Sequence, residues 1–319
     1  MLSHTLKQRF VRDNNLSINI LDDPYFTERV KILGKEKELK SLEELITVVF
    51  DGNEEKYLEA YNLVKDKAID FIKESEAFKH LNDSKRKFER DASKNIPEGD
   101  IYKEPFIGKT FLSIDLRKAN FSALVFYAKS HNLKFFDSYN YEDFIGKFTN
   151  IDEIKNSKYI RQVIFGNCNP KRVIQYEKVI TTYILERILE STTLPLDKVI
   201  KLCNDEIIID CNDLETSKLL EIKKVIDEIN ENVIPIHYEY FTLGKVVGSD
   251  AYIKKIYKDF EYKKAYEYDV KCAHPDDIIF ILKMLNGIEF SENDLVFYNN
   301  KKLAKYLEFP KFEITFELK

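Results

Sequence analysis

The chain has 319 residues, 44% of them apolar, and carries 50 basic against 55 acidic residues for a net charge of −5. That composition supports packed cores and excludes a disordered chain; its acidic balance excludes a general affinity for polyanions, so any phosphate or nucleic-acid contact must come from a local basic patch. Apolar runs such as Ile46–Phe50 fall far short of the roughly 20 residues a membrane span needs, and Met1–Lys7 lacks the apolar stretch of a signal peptide, so a cytoplasmic or otherwise intracellular protein is expected.

Cys168, Cys203, Cys211 and Cys272 form no CxxC pair, and with His4, His80, His131, His237 and His274 they give no zinc spacing, which leaves reduced, mostly buried thiols as the expectation. Heavy use of Lys, Ile, Asn, Tyr and Phe with no Trp fits an AT-rich coding sequence, a virus or phage among its candidate sources.

The first 95 or so residues read as mainly helical. Tyr57, Tyr61, Val64, Ala68, Phe71 and Ile72 form the stripe of one amphipathic helix between Asn53 and Ser75. Pro97, Gly99 and Pro105 then punctuate the chain and set a boundary near residue 100. Residues 1–100 are expected to be a helical N-terminal region, 101–245 the central unit and 246–319 a small α+β C-terminal unit.

Thr110–Leu116 reads as a buried strand in which Leu112, Ile114 and Leu116 face one way and Ser113 and Asp115 the other. A helix follows through Phe121, Leu124, Val125 and Ala128; further helical patterns occupy Lys155–Phe165 and Pro170–Ser191, inside an insertion of about residues 145–195. Lys198–Cys211 reads as two strands folded about Asn204-Asp205, Leu214–Ile229 as a helix, and Ile234–Leu243 as a strand leading to a hairpin at Gly248-Ser249-Asp250. The order βαββαβ, interrupted by helices after the first one, predicts an α+β fold with an antiparallel sheet backed by helices.

In such a sheet the first and third strands are central neighbours. Asp115, Asp205 and Glu206 would then meet at one strand end although 90 residues separate the two aspartates. Carboxylates gathered this way repel one another unless a divalent cation lies between them, and hard oxygens suit Mg²⁺ or Mn²⁺. Two such ions about 4 Å apart activate a hydroxyl nucleophile and hold a leaving pyrophosphate in line. Ordinary turn chemistry at Asn204-Asp205 is the plainer alternative.

At these residues the chain resembles the family A template-directed nucleic-acid polymerases. Phe111–Leu116 is similar to their motif A, and Leu202–Ile209, with an Asp-Glu pair at the turn of an apolar strand, is similar to motif C. The resemblance implies a polymerase-like palm, Asp115 and Asp205 as ligands of two Mg²⁺ or Mn²⁺ ions, Glu206 as an auxiliary carboxylate, and nucleoside triphosphates and a primer–template as partners. Asn204 stands where the family usually has His, and the short spacing leaves room only for reduced fingers.

Within the insertion, residues 151–178 carry six basic against three acidic side chains. Ser157–Gly166 is similar to the family's fingers helix, which implies that Lys158 and Arg161 hold phosphate oxygens and Phe165 stacks on a base. Asn120, five residues after Asp115, matches the position beneath the nucleotide sugar in that family, although an ordinary exposed helix Asn fits it as well. Asn169-Pro170 reads as a helix cap and first residue, which places the cations Lys171 and Arg172 at a helix start; they are either phosphate or nucleic-acid backbone contacts or solvated surface charges. Lys245, Lys254, Lys255 and Lys258 near the Gly248 hairpin are the remaining candidates for gripping a primer strand, with solvated surface lysines as the plainer reading. The reading that follows is a nucleotidyltransferase extending a nucleic-acid 3′ end, with a non-catalytic palm-fold binding protein, or a primase or cyclase use of the same fold, as alternatives.

Overall fold

A computed structural model describes residues 2–83, 85, 88, 100–259, 265–299 and 302–317. Five helices come first: α1 (His4–Asp13), α2 (Tyr25–Ile32), α3 (Glu36–Val49), α4 (Glu54–Glu74) and α5 (Glu76–Leu81). Ser3, Asn53 and Ser75 start α1, α4 and α5 with side-chain oxygens that accept the free N–H groups of the first turn. The stripe expected between Asn53 and Ser75 is the buried face of α4.

Strand β1 (Thr110–Leu116) leads into α6 (Ala119–Ser130), followed by α7 (Tyr141–Ile145), α8 (Asp152–Lys155), α9 (Lys158–Gly166) and α10 (Pro170–Ser191). Then come β2 (Val199–Leu202), β3 (Glu206–Asp210), α11 (Thr216–Asn232), β4 (Ile236–Val247), β5 (Tyr252–Tyr257), β6 (Ala265–Lys271) and α12 (Ile278–Asn286). The chain closes with β7 (Val296–Asn299), β8 (Lys302–Lys305) and β9 (Glu313–Thr315).

The strands pair antiparallel in the order β2-β3-β1-β4-β5-β6, with β9 added along the end of β4 and β7–β8 as a separate hairpin. The expected βαββαβ arrangement is therefore present, with β1 between β3 and β4. Strand alternation sends Leu112, Ile114, Leu116, Ile207 and Ile209 into the main core beneath the helices. Phe111, Ile208, Phe241, Leu243 and Ile256 face the other way and are covered by the segment around Ile101, Tyr102 and Phe106.

Helices of the 145–195 insertion do not stand apart from the sheet. The apolar side of α10 (Val173, Ile180, Ile184, Ile188) joins the same core, where α10 lies against α6 and α11. Residues of α1, α3, α4 and α5 share that core too, and α9 bridges to α1 and α4. At the hairpin between β4 and β5, Gly248 has φ +91°, a conformation that side-chain-bearing residues rarely adopt. The four cysteines form no disulfide; Cys168 and Cys211 are buried and Cys272 is exposed. Among the described residues no helix is long and apolar enough to cross a membrane.

Candidate active site

Asp115 is the sixth residue of β1, paired in register with Glu206 of β3 on one side and His237 of β4 on the other. Asp205 ends the three-residue connection between β2 and β3, and its carbonyl accepts the Leu116 N–H at 2.9 Å, which fastens that turn to the end of β1. The topology thus gathers Asp115, Asp205 and Glu206 at one end of the two central strands. Asp115 and Glu206 belong to the face away from the main helix layer.

Their circumstances differ. Both oxygens of Glu206 are occupied: Ser113 Oγ donates to Oε1 at 2.8 Å and Lys201 Nζ donates to Oε2 at 2.9 Å. Burial would raise its pKa, but the hydrogen bond and charge of Lys201, with Ser113, outweigh that and hold it below the ordinary value. Asp115 and Asp205 have no side-chain hydrogen bond or ion pair among the described residues. Burial, followed by the negative charges of Asp205 and Glu206, pushes Asp115 up to about 7, against a smaller opposing pull from Lys254.

Sequence reading missed three members of this neighbourhood. Glu239 of β4 lies on the same face and accepts from Lys254 Nζ at 2.8 Å. Lys201 is the counter-ion of Glu206. Glu177 of α10 is buried, accepts from Asn120 Nδ2, and is raised to about 7 by burial, with the charge of Asp205 adding to the effect. Its spacing held the clue: Glu177 falls four residues after Val173 and three before Ile180, on the core-facing side of its helix.

The basic candidates divide. Lys158, first residue of α9, has its pKa lowered by burial and by Arg161 and Lys271, and is pulled the other way by Asp115, so it lies within electrostatic reach of the carboxylates. Arg161 sits 5.7 Å from the Tyr141 ring centroid and close enough to Glu142 to feel its charge. Asn120 is tied to Glu177 rather than left as an exposed helix Asn.

Several expectations need correction. Phe165 is 2% exposed and packs against Phe121, so neither ring face is open to a base; with Ile160 and Ile164 it forms the apolar side of α9. Arg172 is committed to the end of α5, its Nε donating to Leu81 O at 2.8 Å and Nη2 to Asp83 O at 3.2 Å, with its guanidinium 3.9 Å from the Phe88 ring centroid. A cation there satisfies carbonyls at the negative end of the α5 dipole. Asn169 starts α10 in a left-handed conformation without capping it, and donates to the Asn82 side chain instead. Lys171 stays exposed on the first turn of α10.

Lys254 is no surface lysine: it is 5% exposed, lies 4.3 Å from the Phe241 ring centroid and is paired with Glu239. Lys255 points to the opposite face, toward Tyr257 and Phe316, away from the carboxylates.

No protein-family model matches the chain, and comparison with curated proteins and solved structures likewise gave no match.

Proposed function

We propose that the chain is a compact nucleotidyltransferase that adds nucleotides to a nucleic-acid 3′ end at the carboxylate end of its central strands. The supporting observation is an imbalance of charge. Among the described residues Glu206 and Glu239 each have a lysine, whereas Asp115 and Asp205 form no ion pair with one.

The donor set fits Mg²⁺ or Mn²⁺. Such ions are commonly held by one or two carboxylates together with substrate phosphates rather than by a closed protein cage. Asp115 and Asp205, without a side-chain hydrogen bond or ion pair among the described residues, would be that pair of carboxylates. Asp115 and Asp205 would hold the ions, which when bound supply Lewis-acid activation and neutralise phosphate charge. Lys158 and Arg161 would orient the triphosphate. Glu206, fixed by Lys201 and Ser113, keeps the strand end rigid beneath them.

The test is extension of a labelled primer with and without template, in Mg²⁺ or Mn²⁺, by the wild type and by Asp205→Asn. Extension that falls by orders of magnitude in the variant, with an unchanged circular dichroism spectrum, is the expected result. No extension with either metal overturns the reading. The occupied oxygens of Glu206 favour a second reading, a non-catalytic binding protein on the same sheet, in which Asp205→Asn leaves nucleic-acid affinity untouched and no extension is seen.

A further inference from the structure

Helix α9 has a second polar side, turned toward α1. Tyr159, one residue past Lys158, carries two guanidiniums over its ring: Arg9 Cζ at 5.1 Å and Arg12 Cζ at 5.5 Å from the centroid. Arg9 also lies 4.4 Å from the Tyr61 ring centroid. Neither arginine forms an ion pair among the described residues. The acid nearest Arg9, Asp13, feels its charge but accepts its hydrogen bonds at Oδ1 from the Tyr61 hydroxyl at 2.8 Å and from Ser157 Oγ at 2.6 Å. Next to the stack is a cavity of about 280 Å³ whose polar lining is Arg12, Asn15, Ser17, Tyr159 and Gln162, with no acidic residue in its wall.

Two like charges on one ring repel each other, and cation–π attraction of roughly 1 kcal/mol each at a surface offsets only part of that. An outside polyanion removes the conflict. Aromatic rings hold the guanidiniums in place, so less freedom is lost when their N–H groups meet an acceptor. Arginine, amide and hydroxyl donors around an aromatic, in a chain whose overall charge is negative, is the chemistry of a phosphodiester contact. Ring-held arginine beside amide and hydroxyl groups is the chemistry that follows the backbone of a single strand.

We propose that this α1–α9 pocket grips the backbone of a single-stranded nucleic acid, Arg12 in its wall meeting phosphate, Arg9 supporting it across the Tyr159 ring, and Asn15, Ser17 and Gln162 meeting sugar or base edges. The proposal rests on the reading of the carboxylate site, to which it is joined through α9, the helix that carries both Lys158 and Tyr159.

The experiment is fluorescence anisotropy of a labelled 12-nucleotide oligo-dT on the full chain, without metal or nucleotide, across a salt series. Arg12 and Gln162 are exposed, so Arg12→Gln and Gln162→Glu should fold normally, which thermal melting verifies. Arg12→Gln should weaken binding about three- to tenfold and flatten the log–log salt slope by about 0.7, the share of one phosphate on a single strand. Gln162→Glu should weaken it at least as much, and Lys40→Gln, on α3, should not. Equal affinity in all three variants overturns the proposal, as does displacement of the oligonucleotide by an equal phosphate concentration of inorganic pyrophosphate, which marks a small-anion site. Arg12-dependent binding without any primer extension removes the proposed activity and leaves the grip; extension with Arg12-independent binding removes the grip alone.

Discussion

Lys254 gives the face of the sheet turned from the main helix layer a quantitative test. Its ammonium is 2.8 Å from Glu239 Oε1, and the lysine side chain is 6% exposed against 18% for the glutamate, whose Oε2 has His237 Nε2 at 3.7 Å. The two partners should therefore cost different amounts to remove. Glu239→Leu strands a buried ammonium, a loss of about 3–5 kcal/mol for a broken buried pair, from which the Phe241 ring recovers about 1–2 kcal/mol. The net cost is about 2–4 kcal/mol. Lys254→Met preserves the packing of the stem over Phe241 and leaves Glu239 with water and His237, at a cost of about 1 kcal/mol. The double variant replaces an ion pair with apolar volume and should fall within about 1 kcal/mol of the wild type, giving a coupling of about 2–5 kcal/mol in a double-mutant cycle. Urea unfolding at pH 7, with equal m-values across the four proteins, measures all three numbers. A double variant that costs the sum of the singles, or Lys254→Met costing more than Glu239→Leu, refutes the assignment of a desolvated, glutamate-dependent ammonium.

Three further outcomes are expected. Asp13, at the end of α1, is raised from 3.8 to about 6, burial prevailing over its hydrogen bonds from Ser157 and Tyr61. The folded protein then keeps a proton the unfolded chain has released, so this contribution is full below about pH 4 and is lost as pH rises through 6. Asp13 should contribute up to about 3 kcal/mol of the stability lost across that window, beside the shares of Asp115 and Glu177, and the slope should shrink in Asp13→Asn when urea stabilities at pH 4.5 and 7.5 are compared. Arg172→Ala removes two hydrogen bonds to the end of α5 and should cost about 1–3 kcal/mol in thermal melts while oligonucleotide affinity is unchanged; a selective loss of affinity would restore it as a backbone contact. Manganese at ten times its dissociation constant should stabilise the wild type by about 1.4 kcal/mol at pH 8, an increment that chelation reverses and Asp115→Asn lacks.

Much of the architecture was legible because it is written in short-range periodicity. The alternation of Leu112, Ile114 and Leu116 assigns Asp115 to the opposite face of β1, and the turn residues Asn204-Asp205 mark the reversal that brings β3 back beside it. The βαββαβ order then joins residues 90 apart without any local signal of contact. What was illegible depends on register between distant strands. Nothing around Lys254-Lys255 says which lysine is buried; that follows from Lys254 pairing with Leu243 and Lys255 with Thr242, which sends the two side chains to opposite faces. The environment of Arg172 depends on where α5 ends, 91 positions from Leu81 to Arg172 along the chain. Phe165 is a different case: its spacing from Ile160 and Ile164 marks a core position, a periodicity that the similarity of the segment to a fingers helix obscures.

The face of the sheet turned from the main helix layer carries two buried or half-buried Lys–Glu pairs, Lys201–Glu206 and Lys254–Glu239, on either side of β1. Pairs of this kind contribute little net stability, because removing two charges from water costs about as much as their attraction returns. Their effect here is on neighbours. Each fixes a glutamate that would otherwise add mobile negative charge beside Asp115, and Lys254 draws the Asp115 pKa down while Asp205, Glu206 and Glu239 draw it up. A third ammonium, on Lys158, approaches from α9 without forming an ion pair among the described residues. The balance leaves Asp115 near 7 rather than far above it, so one proton, or one cation, decides the charge of the strand end at neutral pH. A purely structural sheet gains nothing from two unpartnered aspartates held between paired glutamates, since asparagines would fill the same space without the penalty of crowded charge. That cost becomes intelligible when a cation and an anionic ligand are bound there together.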